Sequence, residues 1–144
     1  MPNMYGALIT SLLAAGTLAM QGCSFEASDF SGRWEGRSIG VNSIGDTGSI
    51  QTLELAADDH GRLRGSIAWR EAVGKDFELD KVRDDAEDLI GLADFTNGSF
   101  VLVETEESGT LVGRILSDRK VELLRTQPGI QPVVTASTLE RIDD

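Results

Sequence analysis

Few residues in this chain are of types that do chemistry, and their neighbours decide what each could do. There is one cysteine, Cys23, and one histidine, His60, in 144 residues. A serine or cysteine nucleophile needs a base within hydrogen-bond reach. His60 lies in Asp58-Asp59-His60-Gly61, where Asp and Gly favour a turn, so it reads as a solvated turn residue. Zinc takes three or four Cys, His or acidic ligands at recognisable spacing, and no such set is present. The acidic run from Val82 to Leu89, VRDDAEDL, has no EF-hand spacing; it could be a single helical turn, and a solvated turn between two strands is the favoured reading. Glycines follow turns and open no helix, which argues against a phosphate loop. Glu104 and Glu106 could share a face as an acid–base pair, but 24 acidic residues in a chain this size produce such pairs without purpose. The sequence points away from an enzyme and asks for no metal or cofactor.

Cys23 is more informative. A lone cysteine makes no internal disulfide, which leaves a buried small hydrophobe, a free thiol, an intermolecular bridge or a modification site. Position discriminates. No charged side chain occurs before Cys23, and Ala7 to Met20, ALITSLLAAGTLAM, is an unbroken run of small, aliphatic and hydroxyl side chains. Spanning a bilayer takes about 20 apolar residues; this shorter run fits the apolar region of a secretory signal. Met20-Gln21-Gly22-Cys23 then resembles the lipobox of bacterial lipoproteins. The resemblance implies cleavage before Cys23, a diacylglycerol on its thiol and an acylated new amino terminus, with chains such as palmitate. Two acyl chains anchor stably, since each buried methylene adds about 0.8 kcal/mol. Ser24, directly after the cysteine, implies sorting to the outer membrane in that family. Met20 and Gln21 depart from its commonest residues, and MPNMYG carries no Lys or Arg. The expected organisation is a signal peptide over 1–22, a lipidated linker over 23–29 and a folded domain over 30–144. The expected location is the bacterial envelope, at the outer membrane facing the periplasm.

The domain reads as strands. In Gly32 to Ser38, Trp34, Gly36 and Ser38 alternate with Arg33, Glu35 and Arg37; in Arg62 to Arg70, Leu63, Gly65, Ile67 and Trp69 share one face. This period of two marks half-buried strands, and interleaved glycines allow strong curvature. Asp46-Thr47-Gly48, Asp58 to Gly61, Asn97-Gly98, Glu107-Ser108-Gly109 and Ser117-Asp118-Arg119 supply turns. The predicted strands are 31–40, 49–57, 62–70, 76–82, 88–95, 99–105, 110–117, 119–126 and 133–142. The fold class is therefore all-β, an antiparallel meander of eight or nine strands closing into a barrel, preceded by a signal helix. A net charge of −11 repels nucleic acid and anionic membranes, so no nucleic-acid partner is expected.

Asp29-Phe30-Ser31-Gly32-Arg33-Trp34 contains a Gly-x-Trp, Thr138 to Arg141 ends the last strand on a basic residue, and Gly61 to Ser66 reads GRLRGS. These features resemble the calycin group, the lipocalins, fatty-acid-binding proteins and avidins. The resemblance implies that Arg141 closes the barrel over Trp34, with Arg125 as the competing partner. No tryptophan follows Trp69, so biotin binding does not carry over. The expected cavity is lined by Trp34, Ile67, Trp69, Val101, Val103, Leu111 and Ile115 and takes a small apolar ligand. The alternative is a barrel filled by its own side chains that contacts another envelope protein, as an inhibitor or assembly factor. The membrane is the third partner, through the N-terminal lipid.

Overall fold

The computed structural model describes residues 24–71 and 83–142, with the side chains of 71, 83 and 84 left aside. A single turn of 3-10 helix, η1 (Ala27–Phe30), precedes eight strands. These are β1 (Gly32–Asn42), β2 (Gly45–Ala57), β3 (Arg62–Glu71), β4 (Arg83–Asp94), β5 (Ser99–Glu104), β6 (Thr110–Ser117), β7 (Lys120–Gln127) and β8 (Val133–Arg141). Each pairs antiparallel with the next, and β8 pairs back onto β1 to close the barrel. The closing register runs from Trp34 opposite Arg141 to Asn42 opposite Val133. Among the described residues closure leaves no edge strand unpaired.

Alternation selects the inner face on every strand. Phe100, Leu102 and Glu104 point inward on β5, Leu111, Gly113 and Ile115 on β6, and Val121, Leu123 and Arg125 on β7. Gly113 is required by packing: a Cβ there would stand 2.1 Å from the Phe100 ring. The core includes Phe30, Trp34, Leu53, Leu63, Ile67, Leu89, Phe100, Leu102, Leu111 and Leu139, each at most 2% exposed. It fills the end of the barrel where η1 sits, and Phe25, Phe30, Phe95 and Phe100 form an aromatic plug there.

Three sequence expectations are corrected. The first hairpin turns at Ser43-Ile44, where the Asn42 side chain accepts from the Ile44 and Gly45 amides at 2.8 and 3.0 Å, so Asp46-Thr47-Gly48 lies inside β2. Arg83 to Leu89 is strand and not a turn: Asp85, Glu87 and Leu89 face the lumen while Ala86 and Asp88 face out. The strand predicted over 88–95 is the second half of that β4. The predicted strand 76–82, the signal segment 1–22 and Cys23 lie outside the described residues. Ser24 to Asp29, expected as a linker, is docked on the barrel, since the Phe25 amide donates to the Phe95 carbonyl at 2.7 Å and its ring covers Gly98.

Candidate functional site

The lumen divides into a filled apolar half and an open polar half. Trp34, Gly36 and Ser38 of β1 run from one to the other, as do Leu53, Gln51 and Ser49 of β2 and Leu139, Ser137 and Thr135 of β8. The hydroxyls of Ser38 and Ser49 pair at 2.6 Å. Ser137 donates to Gln51 Oε1 at 3.0 Å, and Gln51 Nε2 donates to Thr135 at 3.4 Å. This gives one wall of neutral hydrogen-bonding groups whose partners hold them in place.

The floor is built by Arg125. It grows from β7, and its guanidinium carbon lies 4.2 Å from the ring centroid of Trp69 on β3, the strand diametrically opposite in the ring of eight. Its Nε donates to Glu104 Oε1 at 2.6 Å and its Nη2 to Gln127 Oε1 at 2.9 Å. The Glu104 side chain is 0% exposed and that of Arg125 6%. A planar, weakly hydrated guanidinium suits this position, since it stacks on an indole while donating in its own plane. Gly109 makes room for the acid, because a Cβ there would meet the Glu104 carboxylate.

Above this floor is an open chamber of about 590 Å³ at the end of the barrel that holds the β1–β2 and β7–β8 turns. Ser38, Ser49, Gln51 and Thr135 line one side, Asp85 and Glu107 the other, and Ile44, Ile130 and Val133 lie towards the rim. Gln127 links floor to rim by donating to Glu107. Glu87 lies buried within the lumen, one inward position along β4 from Asp85, and its Oε2 has no partner among the described residues. Burial raises its carboxyl above the usual range, and Glu107, Glu104, Glu106 and Asp85 add to the rise.

Of the residues expected to line a cavity, only Trp69 does so. Trp34, Ile67, Leu111 and Ile115 are packed in the filled half. Val101 and Val103 are on the outer surface, 48% and 42% exposed, because Phe100, Leu102 and Glu104 take the inward positions of β5. Trp34 and Arg141 are brought together: the guanidinium carbon lies 4.6 Å from the ring centroid. Arg141 also donates to the carbonyls of Ser31 and Asp29 at 2.8 and 3.0 Å, which ties η1 across the closed end. Arg125, the competing partner, serves Trp69 instead. His60 is exposed in the β2–β3 turn, and Glu104 and Glu106 are separated, one buried and the other exposed. Among the described residues no cluster of three or more His, Cys, Asp or Glu could hold a metal ion. Sequence reasoning missed the inward polar residues Gln51, Asp85 and Glu87, and gave Glu104 and Arg125 other partners; the signal was their phase with Leu53, Leu89, Leu102 and Leu123.

No family model and no curated protein matches the sequence. Solved structures do. A protein of unknown function from the DUF3598 family of Nostoc punctiforme PCC 73102 superposes with a TM-score of 0.53 at 18% identity, over 83% of this chain and 50% of that one. This chain thus spans half the length of that structure. The S-type phycobiliprotein lyase CPES of Guillardia theta superposes with a TM-score of 0.48 at 13% identity, over 81% and 89% of the two chains. The fold is a lipocalin-like barrel. Likeness at this identity extends to the fold alone, and the chamber has to be read from its own residues.

Proposed function

We propose that this lipocalin-like barrel binds a small molecule in the chamber above Arg125, and that it does so as a lipoprotein of the bacterial envelope, held by acyl chains on Cys23. The observation that carries the binding reading is the division of the lumen: an open chamber of about 590 Å³ stands on a floor fixed by the Trp69–Arg125–Glu104 contacts. A chamber of that size takes a small ligand. The apolar ligand read from the sequence becomes one with an apolar part, for Trp69 and the rim residues Ile44, Ile130 and Val133, and with polar groups for the neutral wall. With Arg125 already paired to Glu104, Glu107 on the chamber wall favours neutral or cationic ligands over anions. The alternative, an envelope interaction protein without a ligand, draws on the filled half of the lumen.

Extraction and mass spectrometry of protein purified from its own membranes test the binding reading. A stoichiometric small molecule, lost in the Gln51→Leu/Thr135→Val variant, is expected; none in the native protein would favour the interaction reading. The anchor has its own test. Cys23→Ala should leave the chain soluble or uncleaved, and an unmodified Cys23 thiol in mature native protein would end that assignment.

A further inference from the structure

The outer surface carries an apolar face that the ligand reading does not use. Leu92 of β4 stands opposite Val101 of β5, Val101 opposite Val112 of β6, and Val112 opposite Leu124 of β7; Ile90 stands opposite Val103 in the adjoining row. All six are exposed, from 42% to 63%. Contiguous exposed side chains of this kind exceed what a soluble surface scatters by chance. Two arginines border the face on β3, with Arg62 opposite Leu92 and Arg64 opposite Ile90. Between them and Val101 and Val103 runs a shallow groove of about 430 Å³. Arg62 is shared with Asp58 at 2.6 Å, and Asp88 bounds the other end of the face along β4.

We propose that this face rests on a phospholipid surface, with Ile90, Leu92, Val101 and Val103 at the acyl boundary and Arg62 and Arg64 at the lipid phosphates. Three observations favour lipid on this face. The first is where the chain leaves the barrel. Phe25 is fixed to the β4–β5 turn through Phe95 and Gly98, and Leu92 and Val101 lie a few residues from that turn. Two residues of chain reach about 7 Å at most, so an acylated Cys23 would enter the membrane beside this face. The proposal therefore rests partly on the lipid anchor proposed above. The second is shape: four neighbouring strands of a small barrel form a convex surface, which a fluid lipid layer can follow and a second barrel can touch only along a line. The third is charge. A net charge of −11 on each copy opposes self-association and anionic lipid, whereas arginines beside an apolar face suit the phosphates of zwitterionic lipid, where guanidinium stems lie along the apolar boundary.

The test uses the full chain with Cys23→Ser, so that an added cysteine is the only thiol. An environment-sensitive dye is placed at Val101→Cys, or at Glu54→Cys on the outer face of β2, across the barrel. Each protein is mixed with phosphatidylcholine vesicles carrying a quencher in the acyl chains. The expected result is a blue shift and quenching at position 101 with little change at position 54, whichever segment brings the protein to the vesicle. Equal responses at both positions, or none at position 101, would overturn the proposal. The anchor fails separately: an unmodified Cys23 in the native protein, together with a selective response at position 101, would leave a lipid-facing barrel without a lipid tether.

Discussion

Arg125→Ala should be among the most damaging single changes outside the apolar core. It removes the one hydrogen-bond donor that Glu104 has among the described residues, where its side chain is wholly buried and its Oε2 has no partner. An uncompensated carboxylate would remain in the lumen, and breaking a buried pair in this way costs about 3–5 kcal/mol. The contact with Trp69, about 0.5–2 kcal/mol by itself, is lost in the same step. Against a domain stability of about 5–15 kcal/mol this is a large fraction. For a body of this size it corresponds to a fall in Tm of roughly 10–20 °C. Urea unfolding at neutral pH, followed by tryptophan emission, measures it. The second arm is Glu104→Gln: in that background the charge is gone, so Arg125→Ala should cost about half as much or less, a coupling that only a shared contact produces. A cost below about 1 kcal/mol for Arg125→Ala, or the same cost in both backgrounds, would refute the reading of this pair as the chamber floor.

Three further outcomes follow from the same geometry. Arg141→Ala and Trp34→Ala should be non-additive by roughly 0.5–2 kcal/mol in a double-mutant cycle, since each removes the contact at the closed end. Leu111→Ala should destabilise by about 2–5 kcal/mol, whereas Val103→Ala should change stability by about 0.5 kcal/mol or less, which separates inner from outer positions by denaturation alone. Glu87 holds its proton more tightly in the folded state, where burial and then Glu107, Glu104, Glu106 and Asp85 disfavour its charge. The folded protein thus binds more protons than the unfolded chain between the two pKa values, and stability falls as pH rises through that interval. Glu87→Gln should be the more stable protein at pH 8, with its advantage over the parent shrinking towards pH 4 in parallel urea titrations.

The barrel was legible because its inner face is written in period two where the two faces differ in polarity, as in Gly32 to Ser38 and Arg62 to Arg70. The site was less legible for the same reason. In Ser99 to Glu104 both faces are apolar, so the pattern leaves the phase open; the large Phe100 and Leu102 face in and the β-branched Val101 and Val103 face out. In Arg83 to Leu89 the lumenal positions carry Asp85 and Glu87, and inward acids imitate a solvated turn unless the polar chamber they face is already known. Arg125 was legible only as a competing partner for Trp34. It continues the inward row Val121, Leu123, and the residues that hold it, Glu104 and Trp69, are distant in sequence.

The central claim is that the open polar half of the barrel is the binding site. Backbone amide shifts of labelled protein, followed while it is titrated with a small-molecule extract of the cells that make it, test this most directly. Saturable shifts are expected at Ser38, Ser49, Gln51, Trp69 and Thr135, with Trp34, Leu111 and Ile115 unmoved. Shifts centred on Trp34, Leu111 and Ile115, or no saturable shift anywhere, would contradict it.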